Sequence, residues 1–168
     1  MEATLYKQLM KQHAGVPVII ATGSSGHRTG LTATAFCSLS DSPPSVLVCV
    51  NKSASAYPVI RETGSFSVNI LREDQATIAL CFSGQTGLKG EDRFTGGQWI
   101  TQSTGAPVMA DSLGSLDCLL EREYEHGTHA VFVGLVQSIR SDEESEPLIY
   151  FRGGFVGLQT ETVPGRVA

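Results

Sequence analysis

The chain has no long apolar run, no paired-cysteine motif and no excess of basic charge, and each absence removes a class of function. Across 168 residues no stretch approaches the about twenty apolar residues of a membrane span. The N-terminal MEATLYKQLMKQHAG lacks the uninterrupted apolar core of a signal peptide, so the expectation is a cytoplasmic protein. Lys and Arg number 12 against 17 Asp and Glu, a formal charge of −5, which leaves no basic surface of the kind nucleic acid requires. Cys37, Cys49, Cys81 and Cys118 are widely spaced in apolar or small-residue surroundings with no C-x-x-C pair; they read as buried thiols, and zinc is disfavoured. His126 and His129 form an H-x-x-H, but the chain around Gly127 reads as a bend between strands, not one face of a helix, so no metal is assigned there. G-x-G-x-x-G and G-x-x-x-x-G-K-[ST] are both missing, and the first strands run β-turn-β. Any nicotinamide cofactor is therefore held without the usual nucleotide fold.

What is present centres on residues 29–57, TGLTATAFCSLSDSPPSVLVCVNKSASAY. Alternating small and apolar residues over 30–39 give way to Asp41, Ser42, Pro43 and Pro44, then to Ser45-Val-Leu-Val-Cys-Val50: two strands joined by a Pro-Pro turn. Asn51, Lys52, Ser53 and Ser55 then gather an amide, a cation and two hydroxyls ahead of a helix-like run. Those groups and a helix N-terminus suit an anionic phosphate. The bland alternative is an N-capped helix after a hairpin. The small side chains at Gly30, Thr32, Ala33, Thr34 and Ala35 would let a flat ligand lie close to the backbone, so a planar, nucleotide-like cofactor is one reading of the pair.

The remaining chain supplies strands and short helices. Leu5, Leu9 and Met10 mark an N-terminal helix ending near Gly15, expected to pack on the body. Residues 16–21 and 65–70 read as strands, the second with Phe66, Val68 and Ile70 on one face. A short helix over 54–61 carries Pro58 near its first turn, and Gly64 stops it. Residues 73–81 are helix-permissive, and the glycine-rich loop from Phe82 to Phe94 is long enough to be functional. Leu116, Cys118 and Leu120 share a strand face, with Asp117, Glu121 and Glu123 expected towards solvent. Gly127 and Thr128 close an antiparallel pair onto the strand from His129; Asp142, Glu143, Glu144 and Glu146 read as a solvated loop; residues 147–152 form a last strand, and the tail 160–168 is expected to fray. About six or seven strands with two or three short helices make a mainly β chain, an antiparallel barrel, in one domain spanning 1–168 with its core over 16–155.

The block GLTATAFCSLSDSPPSVLVCVNKSASAYPV resembles the signature of the short-chain flavin reductases, the small partners of two-component flavin monooxygenases, among them the reductase component of 4-hydroxyphenylacetate 3-monooxygenase. The resemblance extends from about Val16 to Phe155 and implies an FMN-binding split barrel, a homodimer, and an NAD(P)H:flavin oxidoreductase using FAD or FMN with NADH or NADPH. It implies that Thr29, Gly30, Leu31, Thr32, Ala33 and Thr34 line the flavin ring, and that Cys49, Val50, Asn51, Lys52, Ser53 and Ser55 form the phosphate side. Phe82 and Ser83 close over the flavin. Gly127-Thr128-His129 matches a Gly-x-His motif tied to nicotinamide, with Thr128 where many members carry Asp, and Phe151, Arg152, Gly153 and Gly154 match an aromatic-Arg-Gly-Gly run near the cofactor. Arg93, in an acidic-Arg-Phe motif, is expected in an ion pair, since a guanidinium does not give up its proton. Hydride transfer belongs to the cofactors, so no catalytic acid, base or nucleophile is obligatory. Two rivals stay open: a split-barrel flavoprotein with tightly bound FMN and other redox chemistry, and a non-catalytic flavin-binding module.

Overall fold

The computed structural model describes residues 2–142 and 144–158; the expected tail 160–168 lies outside them. Strand β1 (Val18–Thr22) is buried along its whole length, which is why VIIAT shows no alternation: it has a core on each face. Val18 and Ile20 enter an inner core, while Ile19 and Ala21 enter an outer one.

The expected strand over 30–39 is two strands, β2 (Thr29–Ala33) and β3 (Phe36–Asp41), broken at Thr34 and Ala35. β3 turns at Ser42 and Pro43 into β4 (Pro44–Asn51), as the Pro-Pro turn predicts. With β5 (Ser65–Ile70) and the long hairpin β8 (Gly114–His126) and β9 (His129–Ser141), these strands form one antiparallel sheet in the order β2-β1-β5-β8-β9-β4-β3. Its two edge strands, β2 and β3, are separated in the chain by only two residues. Strands that close in sequence can occupy opposite edges only if the sheet rolls up; the Cys49 N–H donates to the Ala35 carbonyl at 2.9 Å, carrying the β3–β4 ladder up to the break between the two edges. The antiparallel barrel follows. Short pairs β6 (Trp99–Thr101) with β7 (Pro107–Met109), and β10 (Ile149–Phe151) with β11 (Gly154–Val156), lie outside it.

Phe66, Phe132, Val48, Val50 and Val68 fill the inner core, each worth roughly 1.5–3 kcal/mol relative to exposure. Helix α2 (Ala56–Thr63) contributes Ala56 and Ile60 to this core and stops at Gly64, whose φ of 65° permits the left-handed cap. Helix α3 (Ala76–Phe82) covers the outer core, where Phe82, Phe94 and Trp99 meet edge to face or tilted.

Three expectations change here. Asp117 is not solvent-facing: it is fully buried and accepts hydrogen bonds from the Thr104 N–H (2.8 Å) and hydroxyl, clamping the turn before β7. The N-terminal helix α1 (Ala3–Met10) forms but buries nothing, leaving Leu5 62% and Leu9 67% exposed. Of the four thiols only Cys81 and Cys118 are buried; Cys37 is exposed because the β3 edge has solvent on its outer face. No described helix is long and apolar enough to cross a membrane.

Candidate functional site

Three cavities meet at Thr32 of β2. The first, about 490 Å³, is walled by Gly30 to Thr32, by Ser53, Ala54 and Ser55 ahead of α2, and by Phe82, Ser83, Lys89, Gly90 and Arg93. The second, about 280 Å³, adds Cys49, Asn51 and His129. The third, about 220 Å³, is closed by Gln85, Tyr150 and Phe155. One thin strand therefore runs through all three.

At the first cavity's polar end, Asn51 Oδ1 accepts from both the Ser53 N–H (2.9 Å) and hydroxyl (2.8 Å), which bends the loop and presents it towards the opening. Ser55 Oγ shares a hydrogen bond of 2.6 Å with Thr29 Oγ1, tying the loop to β2. At the start of α2 the Tyr57 N–H is already taken by the Ala54 carbonyl at 3.0 Å and Pro58 carries none, so the loop's hydroxyls are what this end offers a ligand. Lys89 and Arg93 supply positive charge. The ion pairs among the described residues are Arg28–Glu91, Lys52–Glu125, Arg61–Glu123 and Arg72–Asp74, so neither Lys89 nor Arg93 is neutralised by a carboxylate. Arg93 instead donates to the carbonyls of Leu88 (2.9 Å), Gly30 (2.9 Å) and Phe82 (3.5 Å). The expected Arg93 ion pair is thereby corrected: the acidic partner in its motif, Glu91, is taken by Arg28. Two cations and the hydroxyls of Ser53 and Ser55, each held by a neighbouring side chain, suit a phosphate monoester or diester.

Further along β2, His129 begins β9 directly opposite Asn51. Its Nδ1 lies 2.9 Å from Thr128 Oγ1, which fixes the ring without the carboxylate that many Gly-x-His motifs carry. Lys52 donates its backbone N–H to the Thr128 carbonyl at 2.9 Å, so the phosphate-side loop and the histidine hairpin are one connected unit. Burial and the nearby Cys37 raise the Cys49 thiol above its usual value, so it stands in this wall as a neutral group.

A model of the flavin reductase like domain matches residues 10–159. The FMN reductase (NADH) RutF 1 of Methylorubrum extorquens is 37% identical over 150 residues, 89% of this chain and 73% of that protein. Among solved structures, the NADH:FAD oxidoreductase SgcE6 of Streptomyces globisporus C-1027 superposes with a TM-score of 0.87 at 27% identity, covering 98% of this chain and 92% of that one. BorF, the flavin reductase component of a bacterial two-component tryptophan halogenase, gives 0.86 at 28% identity over 95% and 100%. The chain belongs to the flavin reductase family.

Within this family member the motif residues divide. Thr29 to Thr34, Cys49, Asn51, Ser53, Ser55, Phe82, Ser83 and His129 lie on or beside β2 and the cavities along it. Gly30 does so for a different reason. A Cβ there would lie 2.7 Å from the Ile20 carbonyl oxygen and 2.9 Å from the Phe82 ring, so the missing side chain makes room for Phe82 beneath the strand. Phe82 is correspondingly 1% exposed and forms the floor; it does not close over the opening. Val50 points into the inner core. Lys52 turns away to Glu125 at 2.9 Å and is not part of the cavity wall. Phe151, Arg152, Gly153 and Gly154 form the β10–β11 turn, where Arg152 Nε donates to Gln12 at 2.9 Å and its guanidinium lies over Phe151; the flanking Tyr150 and Phe155 reach the cavity in their place. Lys89 was missed by sequence reasoning: in Gly87-Leu88-Lys89-Gly90 it has none of the hydroxyl and amide neighbours that singled out Lys52.

Proposed function

We propose that this chain is an NAD(P)H:flavin oxidoreductase that reduces FAD or FMN and releases the reduced flavin to a separate monooxygenase. The observation that supports it best is the junction at β2: a phosphate-type pocket whose two cations have no carboxylate partner among the described residues, and the adjoining His129 cavity along the same strand. A flavin, when bound, supplies the hydride acceptor; the protein's work is binding and orientation. Ser53, Ser55, Lys89 and Arg93 hold the phosphate. Backbone groups of Thr32 to Thr34 would hold the flavin ring, offering fixed dipoles for the charge its reduction develops. His129, its ring held by Thr128, positions the nicotinamide. Exposed apolar residues on α1 support a homodimer in solution.

The test is nicotinamide oxidation by purified protein, followed by loss of reduced-cofactor absorbance with FMN, FAD or no added flavin, using NADH and NADPH in turn. Turnover over many equivalents that depends on added flavin is the expected result and ranks the cofactors. Oxidation that is independent of added flavin in a yellow protein would favour the bound-FMN alternative, and no flavin affinity at all would favour a non-catalytic module.

A further inference from the structure

Lys89 and Arg93 lie on the stretch from Ser83 to Thr95, whose regular structure is one 3-10 turn, Gly90–Thr95, without a side-chain cap. A pocket wall on such a segment needs outside anchors if its charges are to stay in place. Arg93 provides one through the Gly30 carbonyl. The other anchor is Arg28, in the β1–β2 turn. Its backbone N–H donates to Glu91 Oε2 at 3.0 Å, its Nε donates to Oε1 at 2.6 Å, and a terminal guanidinium N–H reaches the same Oε1. The guanidinium also lies 4.6 Å from the centre of the Phe94 ring. Glu91 and Phe94 bracket Arg93 in sequence, so Arg28 grips the turn on both sides of it.

Arg28 itself lines the adjoining cavity of about 600 Å³ and is absent from the wall of the first. We propose that Arg28 is a positioning residue, acting through Glu91 to hold Lys89 and Arg93 against β2 so that they meet the flavin phosphate. This rests on the flavin reading above. The guanidinium and backbone hydrogen bonds from Arg28 hold the Glu91 carboxyl below the usual carboxylate range, so the latch is charged at neutral pH. An ordinary surface ion pair adds little stability and nothing to ligand selectivity. A latch should act on one part of the ligand only.

The experiment measures FMN and riboflavin binding to the full chain by quenching of flavin fluorescence, alongside Tm, for wild type, Glu91→Gln, Arg28→Met, the double variant and Arg28→Lys. Riboflavin has the ring and ribityl chain but no phosphate. Expected are an about tenfold weaker Kd for FMN in each single variant, corresponding to one lost charge-assisted bond, an unchanged Kd for riboflavin, a double variant no worse than either single one, and partial recovery with Arg28→Lys. Equal weakening for both flavins, or no change for FMN, would overturn the proposal and leave an ordinary structural ion pair. Losses that multiply in the double variant would also overturn it, because Arg28 would then contact the phosphate itself. Wild-type protein that binds neither flavin would remove the flavin reading and the latch together.

Discussion

Two lysines, each in a loop beside β2, have opposite surroundings. Lys52 sits in a loop of hydroxyls but spends its charge on Glu125, whereas Lys89 stands on the cavity wall with no carboxylate partner among the described residues. Lys89→Met should therefore weaken FMN binding by about tenfold or more, the scale of a charge-assisted bond, while Lys52→Met should change it by less than about threefold. Parallel titrations check this, and a larger effect at Lys52 would move the phosphate to the other side of the loop. Gly30 makes a second prediction. With Ile20 and Phe82 both fully packed around it, Gly30→Ala must push a ring or a carbonyl aside, at a cost of about 1–3 kcal/mol. Chemical denaturation measures that loss; unchanged stability would show that Phe82 can repack without strain.

At the scale of elements, β9 and the loop ahead of α2 meet through Asn51 opposite His129 and through the Lys52 to Thr128 backbone bond. His129→Ala should raise the KM for the nicotinamide by about tenfold while changing that for flavin by less than about twofold. Steady-state kinetics with each substrate varied in turn decide it, and equal shifts in the two constants would make His129 a structural turn residue. These elements also show where sequence was readable. Alternation marked β5, Gly64 marked the end of α2, and Pro43 and Pro44 marked the β3–β4 turn, because each depends on neighbours a few residues away. The break at Thr34 and Ala35 was hidden, since barrel closure there depends on β8 and β9, far along the chain. Asp117 was misread for the same reason: alternation places it on the outer face, but only the fold brings Thr104 over it. The pairing of Arg28 with Glu91 across 63 residues left Arg93 to the pocket, and no local pattern announces such an exchange of partners.

For the whole molecule, acid should be the weak side. Asp74, Glu91, Glu125 and Asp142 all titrate below the usual carboxylate range, held there chiefly by Arg72, Arg28, Lys52 and Ser145 respectively. A depressed folded value means stabilisation that is complete above the unfolded pKa of about 4 and is lost as pH falls through the folded value. Tm should thus be level through the neutral range and fall below about pH 4, with a shallower fall in Glu91→Gln. The larger question at this scale is what covers α1. Its end is tethered, because Gly15 pairs with Tyr150 and the Arg152 N–H donates to the Lys11 carbonyl, yet Leu5, Tyr6, Leu9 and Met10 remain exposed. An amphipathic helix held in place with its apolar side uncovered gains little from folding alone. A second copy of the chain would bury that surface, and a two-fold arrangement buries it on both copies at once. Sedimentation equilibrium should give twice the chain mass, and Leu5→Asp with Leu9→Asp should shift it to one, since a carboxylate buried in an apolar interface is costly. If the wild-type protein sediments as a monomer, α1 is uncovered in solution and the homodimer proposal fails. If the double variant remains a dimer, the interface lies elsewhere, and the exposed Leu119 and Ile139 of the β8–β9 hairpin become the surface to mutate.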